Sequence, residues 1–273
     1  EQGITARQIM TVDAIKNAIA VDMAVAGSSN LILHIPAIAN EAGYELPWWK
    51  YFDEASNAVP LLSHLMPGGE YSIKDFDLAG GMPALMKNLL PQLKGDCLTV
   101  TGNTVFENVK DAVVYNDDCI RTLDNPVMRE PGIGVLYGNL APEGSIIKIA
   151  AVPAQLMKFK GKAKCFDSLQ DGLDALHEGK IEEGDAIILR FMGLKGRFGT
   201  TAFTFQEELK GQHNLYNSCA IITDGRFSGG TSGLSVGYVS PEAALRSPLA
   251  IVKDGDEIEI DVPARKMNLV MPQ

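Results

Sequence analysis

The sequence predicts an α/β protein in two parts: a mostly helical part over residues 1–94, and a mainly-β part over residues 95–273 that closes into a barrel or sandwich. Three observations predict it. Apolar residues recur at helical spacing from Thr5 to about Gly95, short β-like runs bounded by Gly and Pro follow, and the period changes within residues 91–97. A helical segment of this length makes a thin domain alone, so it is expected to complete a larger α/β unit.

In the first part, Ile9, Val12, Ile15, Ala18, Ile19 and Met23 form one stripe, and Leu31, His34, Ile35, Ile38 and Ala42 another. Between them, Ala26–Asn30 is a small-residue break in which Ser or Asn can cap the second helix. Pro36 falls in the first turns of that helix, where proline is tolerated. Further helices are expected over Pro47–Ser56 and, after Gly80 and Gly81, over Pro83–Leu90. The expected strands are Leu98–Thr101, Gly134–Tyr137, Ile146–Ala151, Ala186–Phe191, Ala220–Thr223, Leu234–Val239, Leu249–Val252, Ile258–Val262 and Met267–Met271, with one inserted helix over Leu169–Leu176. The basic run Lys158–Lys164 reads as a solvated face.

Composition is that of an ordinary globular protein, 46% hydrophobic and 21% charged. A net charge of -10 supplies no field to attract a polyphosphate backbone, which argues against nucleic acid as a partner. No apolar run approaches the ~20 residues that span a bilayer, and no basic-then-apolar leader is present, so the cytoplasm is the expected compartment. Because the chain begins at Glu1 rather than Met, it is expected to be a piece of a longer protein. Cys97, Cys119, Cys165 and Cys219 are widely spaced, with no C-x-x-C pair and no His at metal-ligand spacing; they read as reduced, mostly buried thiols.

Ala220–Gly233 (AIITDGRFSGGTSG) reads as a buried strand entering a glycine-rich loop. Such a loop lets backbone N–H groups approach an anion and leaves Ser228 accessible to a small molecule; a solvated glycine-rich turn is the plainer alternative. A phosphate-binding Walker loop fails for want of Gly-Lys-Ser/Thr, and a dinucleotide loop fails because Leu234–Val239 reads as a strand. A hydrolase elbow fails because Arg226 stands where its first glycine belongs. His34, His64, His177 and His213 form no triad or zinc pattern and read as structural.

Taken together, five segments carry a resemblance: Gly27–Gly43 (GSSNLILHIPAIANEAG), Gly80–Lys87 (GGMPALMK), Gly95–Gly102 (GDCLTVTG), Gly138–Gly144 (GNLAPEG) and Ile222–Gly233 (ITDGRFSGGTSG). In this order they resemble the dihydroxy-acid and phosphogluconate dehydratases over nearly the whole chain, matching the C-terminal half of that family. Phe227 and Gly230 look more like the branched-chain dihydroxy-acid enzymes than the sugar-acid ones. The resemblance implies the tail of an N-terminal α/β domain followed by a swivelling β-barrel of the aconitase-like type. It also implies dehydration of a 2,3-dihydroxy acid to a 2-oxo acid in branched-chain amino-acid biosynthesis, with an iron-sulfur cluster, Mg²⁺ and a homodimer. Ser228 matches the family's proton-abstracting base, and Arg226, Gly229, Gly230, Ser28 and Asn30 are the expected substrate contacts.

Three departures accompany the match. The family's cluster cysteines and most of its magnesium ligands lie upstream of the matched region, so a missing N-terminal half is an expected partner. The family's magnesium-binding Glu aligns with Ala202 in Gly193–Ala202 (GLKGRFGTTA), and a methyl group ligates no Mg²⁺, although Glu207 and Glu208 follow closely. Ser28-Ser29-Asn30 replaces the usual Ser-Thr-Asn, and the chain ends before the usual C-terminal tail. The second reading of function is a non-catalytic paralogue that serves as a binding or subunit module.

Overall fold

The first apolar stripe makes two helices, α1 (Ala6–Ile9) and α2 (Val12–Ala24). Thr11 divides them, because its hydroxyl accepts a hydrogen bond from the Ala14 amide at 3.2 Å and caps α2. The computed structural model describes residues 3–270. Helix α3 (Leu31–Glu41) begins without the expected side-chain cap. Instead the amide and the side-chain Nδ2 of Asn30 both donate to Ser28 Oγ at 3.2 Å. Pro36 lies in the second turn of α3 and leaves the Ile32 carbonyl without its i+4 donor.

Helices α4 (Trp48–Ala58), α5 (Ile73–Leu78), α6 (Gly81–Leu89) and α7 (Val105–Val109) follow. Of these, α5 and α7 are too short for an apolar stripe to show, yet each opens on a capping box, Ser72 with Asp75 and Thr104 with Glu107. The expected strand Leu98–Thr101 is a turn: Thr99 Oγ1 donates to the Asn103 carbonyl at 2.8 Å, and Asn108 Nδ2 donates back to Thr99 Oγ1 at 2.7 Å. Side-chain hydrogen bonds of this local kind compete with a strand ladder.

The chain divides into two compact units between Ile133 and Gly134, rather than after Lys94 where the period changes. Residues 95–133 contain little regular structure but belong with the helices. Asn17, buried in α2, exchanges two hydrogen bonds with the Lys94 backbone at 3.0 and 2.8 Å. Val127 and Leu61, Arg121 and Leu62, and Gly132 and Met23 are joined through backbone hydrogen bonds of 2.8–3.1 Å. Cys119 and Ile120 are fully buried.

The second unit is an eight-stranded sheet of β1 (Gly134–Leu136), β2 (Gly144–Ile147), β3 (Lys158–Phe166), β4 (Ala186–Leu189), β5 (Ala220–Thr223), β6 (Leu234–Ser240), β7 (Glu257–Asp261) and β8 (Lys266–Leu269). Its order is β1-β2-β6-β5-β4-β3-β7-β8. The central strands β3, β4, β5 and β6 run parallel, and the flanking pairs are antiparallel. Tyr137, just past β1, bridges β8 through its amide to the Arg265 carbonyl at 2.9 Å and its carbonyl to the Met267 amide at 2.8 Å. The sheet is thereby nearly closed into a barrel, and the predicted α/β class with a β-barrel holds.

Helices α8 (Leu169–His177), α9 (Leu194–Arg197), α10 (Phe203–Gly211), α11 (His213–Tyr216) and α12 (Pro248–Ile251) lie between the strands. Ile187, Leu189 and Ile221 pack with Leu176 of α8 and with Phe205 and Leu209 of α10. Their sequence neighbours Ala186, Ile188, Ala220 and Ile222 are equally buried, as alternation onto the barrel face requires. Strands covered on both faces read as unbroken apolar runs, which is why β4 and β5 were visible in the sequence.

Elsewhere the strand pattern misled. The basic run is part of β3, whose burial alternates. Lys158 and Lys160 are solvated as expected, but they pair across the strand with Asp261 at 3.3 Å and Glu257 at 2.8 Å. Leu249–Val252 is mostly α12, opened by Pro248 at its first turn. Ile146–Ala151 breaks after Ile147 into a 3₁₀ turn over Ile149–Ala151, and β4 stops before Phe191, whose φ of 62° no strand accommodates. The expected strand end at Met271 lies outside the described residues.

Gln206 of α10 is fully buried, and neither its Nε2 nor its Oε1 has a hydrogen-bond partner among the described residues. Leaving both ends of a carboxamide dry is unfavourable, so Gln206→Leu should raise stability by about 1–2 kcal/mol in urea unfolding.

Candidate active site

Strands β5 and β6 are parallel neighbours joined only by residues 224–233, where a parallel connection ordinarily takes a longer, helical crossover. So tight a return forces the backbone against its surroundings. A Cβ on Gly225 would stand 2.5 Å from the Thr200 carbonyl oxygen and 2.8 Å from Met192 Cβ. Gly233 has φ +82°, and a Cβ there would meet the Tyr216 ring at 2.9 Å.

The root of the loop is Asp224, 4% exposed. Its carboxylate accepts backbone N–H bonds from Phe191 at 3.1 Å, Met192 at 2.8 Å and Ala243 at 2.9 Å. Nothing in the sequence reading singled it out; a lone Asp directly after an apolar strand was the available signal. Glu242 supports the same region, accepting from the amides of Leu194 at 2.8 Å and Lys195 at 2.7 Å. Arg226 then ties the loop to the segment before α10. Its Nε donates to the Gly199 carbonyl at 2.6 Å, its amide donates to the Thr200 carbonyl at 3.2 Å, and its carbonyl accepts from the Ala202 amide at 2.8 Å.

Ser228 is half-buried at the turn. Its Oγ accepts from the Gly230 amide at 3.2 Å, and its carbonyl accepts from the Thr231 amide at 3.1 Å. Lys148, just past β2, donates from Nζ to the Gly229 carbonyl at 2.9 Å. The Gly233 amide donates to the Ala151 carbonyl at 2.9 Å, and Tyr216 donates its hydroxyl to Ser232 Oγ at 2.8 Å. Thr231 is 5% exposed and its hydroxyl has no hydrogen-bond partner among the described residues.

Arg226, Ser228, Gly229 and Gly230 are therefore together on one loop. Ser28 and Asn30 belong to the first unit, in the loop between α2 and α3. The Ser28 amide donates to Asp22 Oδ1 at 3.0 Å, and a Cβ on Gly27 would strike that same oxygen at 2.1 Å. A cleft of about 700 Å³ in the first unit, lined by His64, Tyr71, Asp118 and Arg121 among others, contains none of the predicted site residues.

The described residues do not fit a metal or cluster ligand set. No group of three or more His, Cys, Asp or Glu among them converges to hold a metal ion. Burial pushes the thiols of Cys97, Cys119 and Cys219 up and that of Cys165 up to about 12, so they rest protonated. Ala202 is fully buried in a cluster with Met192, Phe205 and Phe227. Glu208 pairs with His177, Glu207 is exposed, and helical periodicity turns both from the face that carries Ala202. No helix among the described residues is long and apolar enough to cross a membrane.

The family model for the dihydroxy-acid/6-phosphogluconate dehydratase N-terminal region matches residues 1–108, and the C-terminal one matches residues 118–273. Among curated relatives, the dihydroxy-acid dehydratase of Caldanaerobacter subterraneus subsp. tengcongensis is 44% identical over 98% of this chain and 49% of its own length. That of Thermodesulfovibrio yellowstonii is 46% identical over 99% of this chain and 49% of its own, and that of Ignicoccus hospitalis 44% identical over 100% and 50%. The chain thus spans about half the length of the curated relatives it matches. With the two family models together matching nearly the whole chain and the glycine-rich loop lying inside the second match, the chain belongs to the dihydroxy-acid/6-phosphogluconate dehydratase family.

Proposed function

We propose that this chain is the half of a hydro-lyase that carries the proton-abstracting base, converting a 2,3-dihydroxy carboxylic acid to a 2-oxo acid. The observation that carries the reading is Ser228 Oγ, half-buried on a glycine-rich turn and already accepting the Gly230 amide. Serine acts as a base only where donors stabilise its anion, and a backbone N–H aimed at its oxygen is such a donor. Ser228 Oγ, as its anion, takes the proton from C2; the C2–H electron pair becomes the C2=C3 bond as the C3–O bond breaks. The departing hydroxide takes that proton back from Ser228 Oγ–H and leaves as water, which restores the serine anion, and the enol tautomerises to the 2-oxo acid. The unpaired Thr231 hydroxyl supports a polar ligand at this turn, since a buried hydroxyl gains most from a partner that a substrate supplies.

The iron-sulfur cluster and Mg²⁺ of the family belong to this reading as groups held by residues beyond this chain, as do a homodimer and a cytoplasmic location. Arg226, whose Nε also braces the loop against the Gly199 carbonyl, is a proposed substrate contact together with Gly229, Gly230, Ser28 and Asn30. A branched-chain dihydroxy acid is the proposed substrate. Gly230 is exposed beside Ser228, whereas Phe227 is buried, its ring 3.0 Å from where a Cβ on Gly237 would stand, and it acts by shaping the loop from below. The buried Ala202 favours the second reading, a non-catalytic binding or subunit module.

One assay separates these readings. The chain is combined anaerobically with the half that the relatives carry beyond it, and 2-oxo acid is measured from 2,3-dihydroxyisovalerate and from an aldonate. Turnover of the former at least about tenfold better in kcat/KM supports the proposal, a difference of about 1.4 kcal/mol in transition-state binding. Preference for the aldonate moves the substrate to the sugar acids, and no turnover by an assembled, cluster-loaded complex leaves the module.

A further inference from the structure

Ser228 stands at one end of a single peptide unit, and Lys148 stands at the other. The Gly229 carbonyl accepts from Lys148 Nζ at 2.9 Å, and the amide of that same peptide, Gly230 N–H, donates to Ser228 Oγ at 3.2 Å. In a planar trans peptide the C=O and N–H point in opposite directions, so gripping the oxygen aims the hydrogen. The grip matters because the peptide lies between two glycines, whose backbone dihedrals rotate more freely than those of any other residue.

Lys148 itself is fixed. It follows β2, whose Ile147 pairs with Val236 of β6, the strand into which the loop runs. Three residues on, the Ala151 carbonyl takes the Gly233 amide, so one short corner of backbone holds both ends of the turn. Charge adds to geometry. An ammonium at a carbonyl oxygen polarises the peptide and strengthens the hydrogen bond made by its N–H, which favours negative charge on the atom that accepts it. Of the other charged and titratable groups nearby, Arg226 and Asp224 on the same loop are engaged with the Gly199 carbonyl and with the Met192 amide, and Tyr216 of α11 donates to Ser232 Oγ.

We infer that Lys148 is a positioning residue for Ser228, orienting and polarising the Gly229–Gly230 peptide so that its N–H stabilises the serine as a base. This rests on the reading of Ser228 given above. The test uses the assembled dehydratase with Lys148→Met, Lys148→Gln and Ser228→Ala, and measures kcat and KM across pH. Lys148→Met should lower kcat roughly tenfold or more at nearly constant KM and move the rising limb of the kcat profile up by roughly one pH unit. Lys148→Gln, which keeps a donor but not the charge, should show the same pH shift with a smaller loss, and it carries the test if the Met variant does not fold. An unchanged profile and kcat in both variants overturns the inference, and so does a rise in KM alone, which would make Lys148 a substrate contact. If Ser228→Ala keeps full activity, the reading of Ser228 has failed instead.

Discussion

Asp224→Ala should destabilise the second unit by on the order of 3–5 kcal/mol. The substitution strands three backbone N–H groups, from Phe191, Met192 and Ala243, at a site that is 4% exposed. Each buried donor left dry is unfavourable by about 1–3 kcal/mol. The losses fall on segments flanking the Ser228 loop, since Asp224 is where β5 ends and that loop begins. Asp224→Asn, which keeps one acceptor and faces another N–H with its own amine, should lie between wild type and Ala. Urea unfolding of the three proteins checks the order; a midpoint for Asp224→Ala equal to that of wild type would show that water replaces the carboxylate at no penalty.

How much of this was legible in the sequence depended on which forces leave a one-dimensional trace. Strands β4 and β5, apolar on both faces, announced themselves, as did α2 and α8 through their stripes. Strand β3 did not, because Lys158, Lys160 and Lys162 on its solvated face outweigh the alternation of Phe159 and Ala163. The period changes at residue 94, whereas the first compact unit ends at Ile133, because backbone contacts between Leu61 and Met128 or Met23 and Gly132, distant in sequence, tie residues 95–133 to the helices. At the site, the glycines and Ser228 were legible because the loop is one continuous stretch. Asp224, Glu242 and Lys148 were not, since each acts on backbone groups far along the chain and backbone groups carry no sequence signature.

Ser228→Ala carries the largest expected effect on activity. The variant removes one oxygen from a half-buried position and leaves Asp224, Arg226 and the Lys148 contact in place, so folding should change by well under about 1 kcal/mol. The chemical step loses its base, and a positioned general base contributes about 10²–10⁴-fold. Binding and transition-state loss are also separable here: removal of the base lowers kcat and kcat/KM together, whereas removal of a mere substrate contact raises KM.

The most direct measurement is therefore the single-turnover rate of 2-oxo acid formation from 2,3-dihydroxyisovalerate by the assembled enzyme, wild type against Ser228→Ala, with equal cluster loading and matched unfolding midpoints. A fall of at least about a hundredfold is the predicted result. A rate within about twofold of wild type would contradict the assignment of Ser228 as the base, and with it the proposed role of this loop in the chemistry.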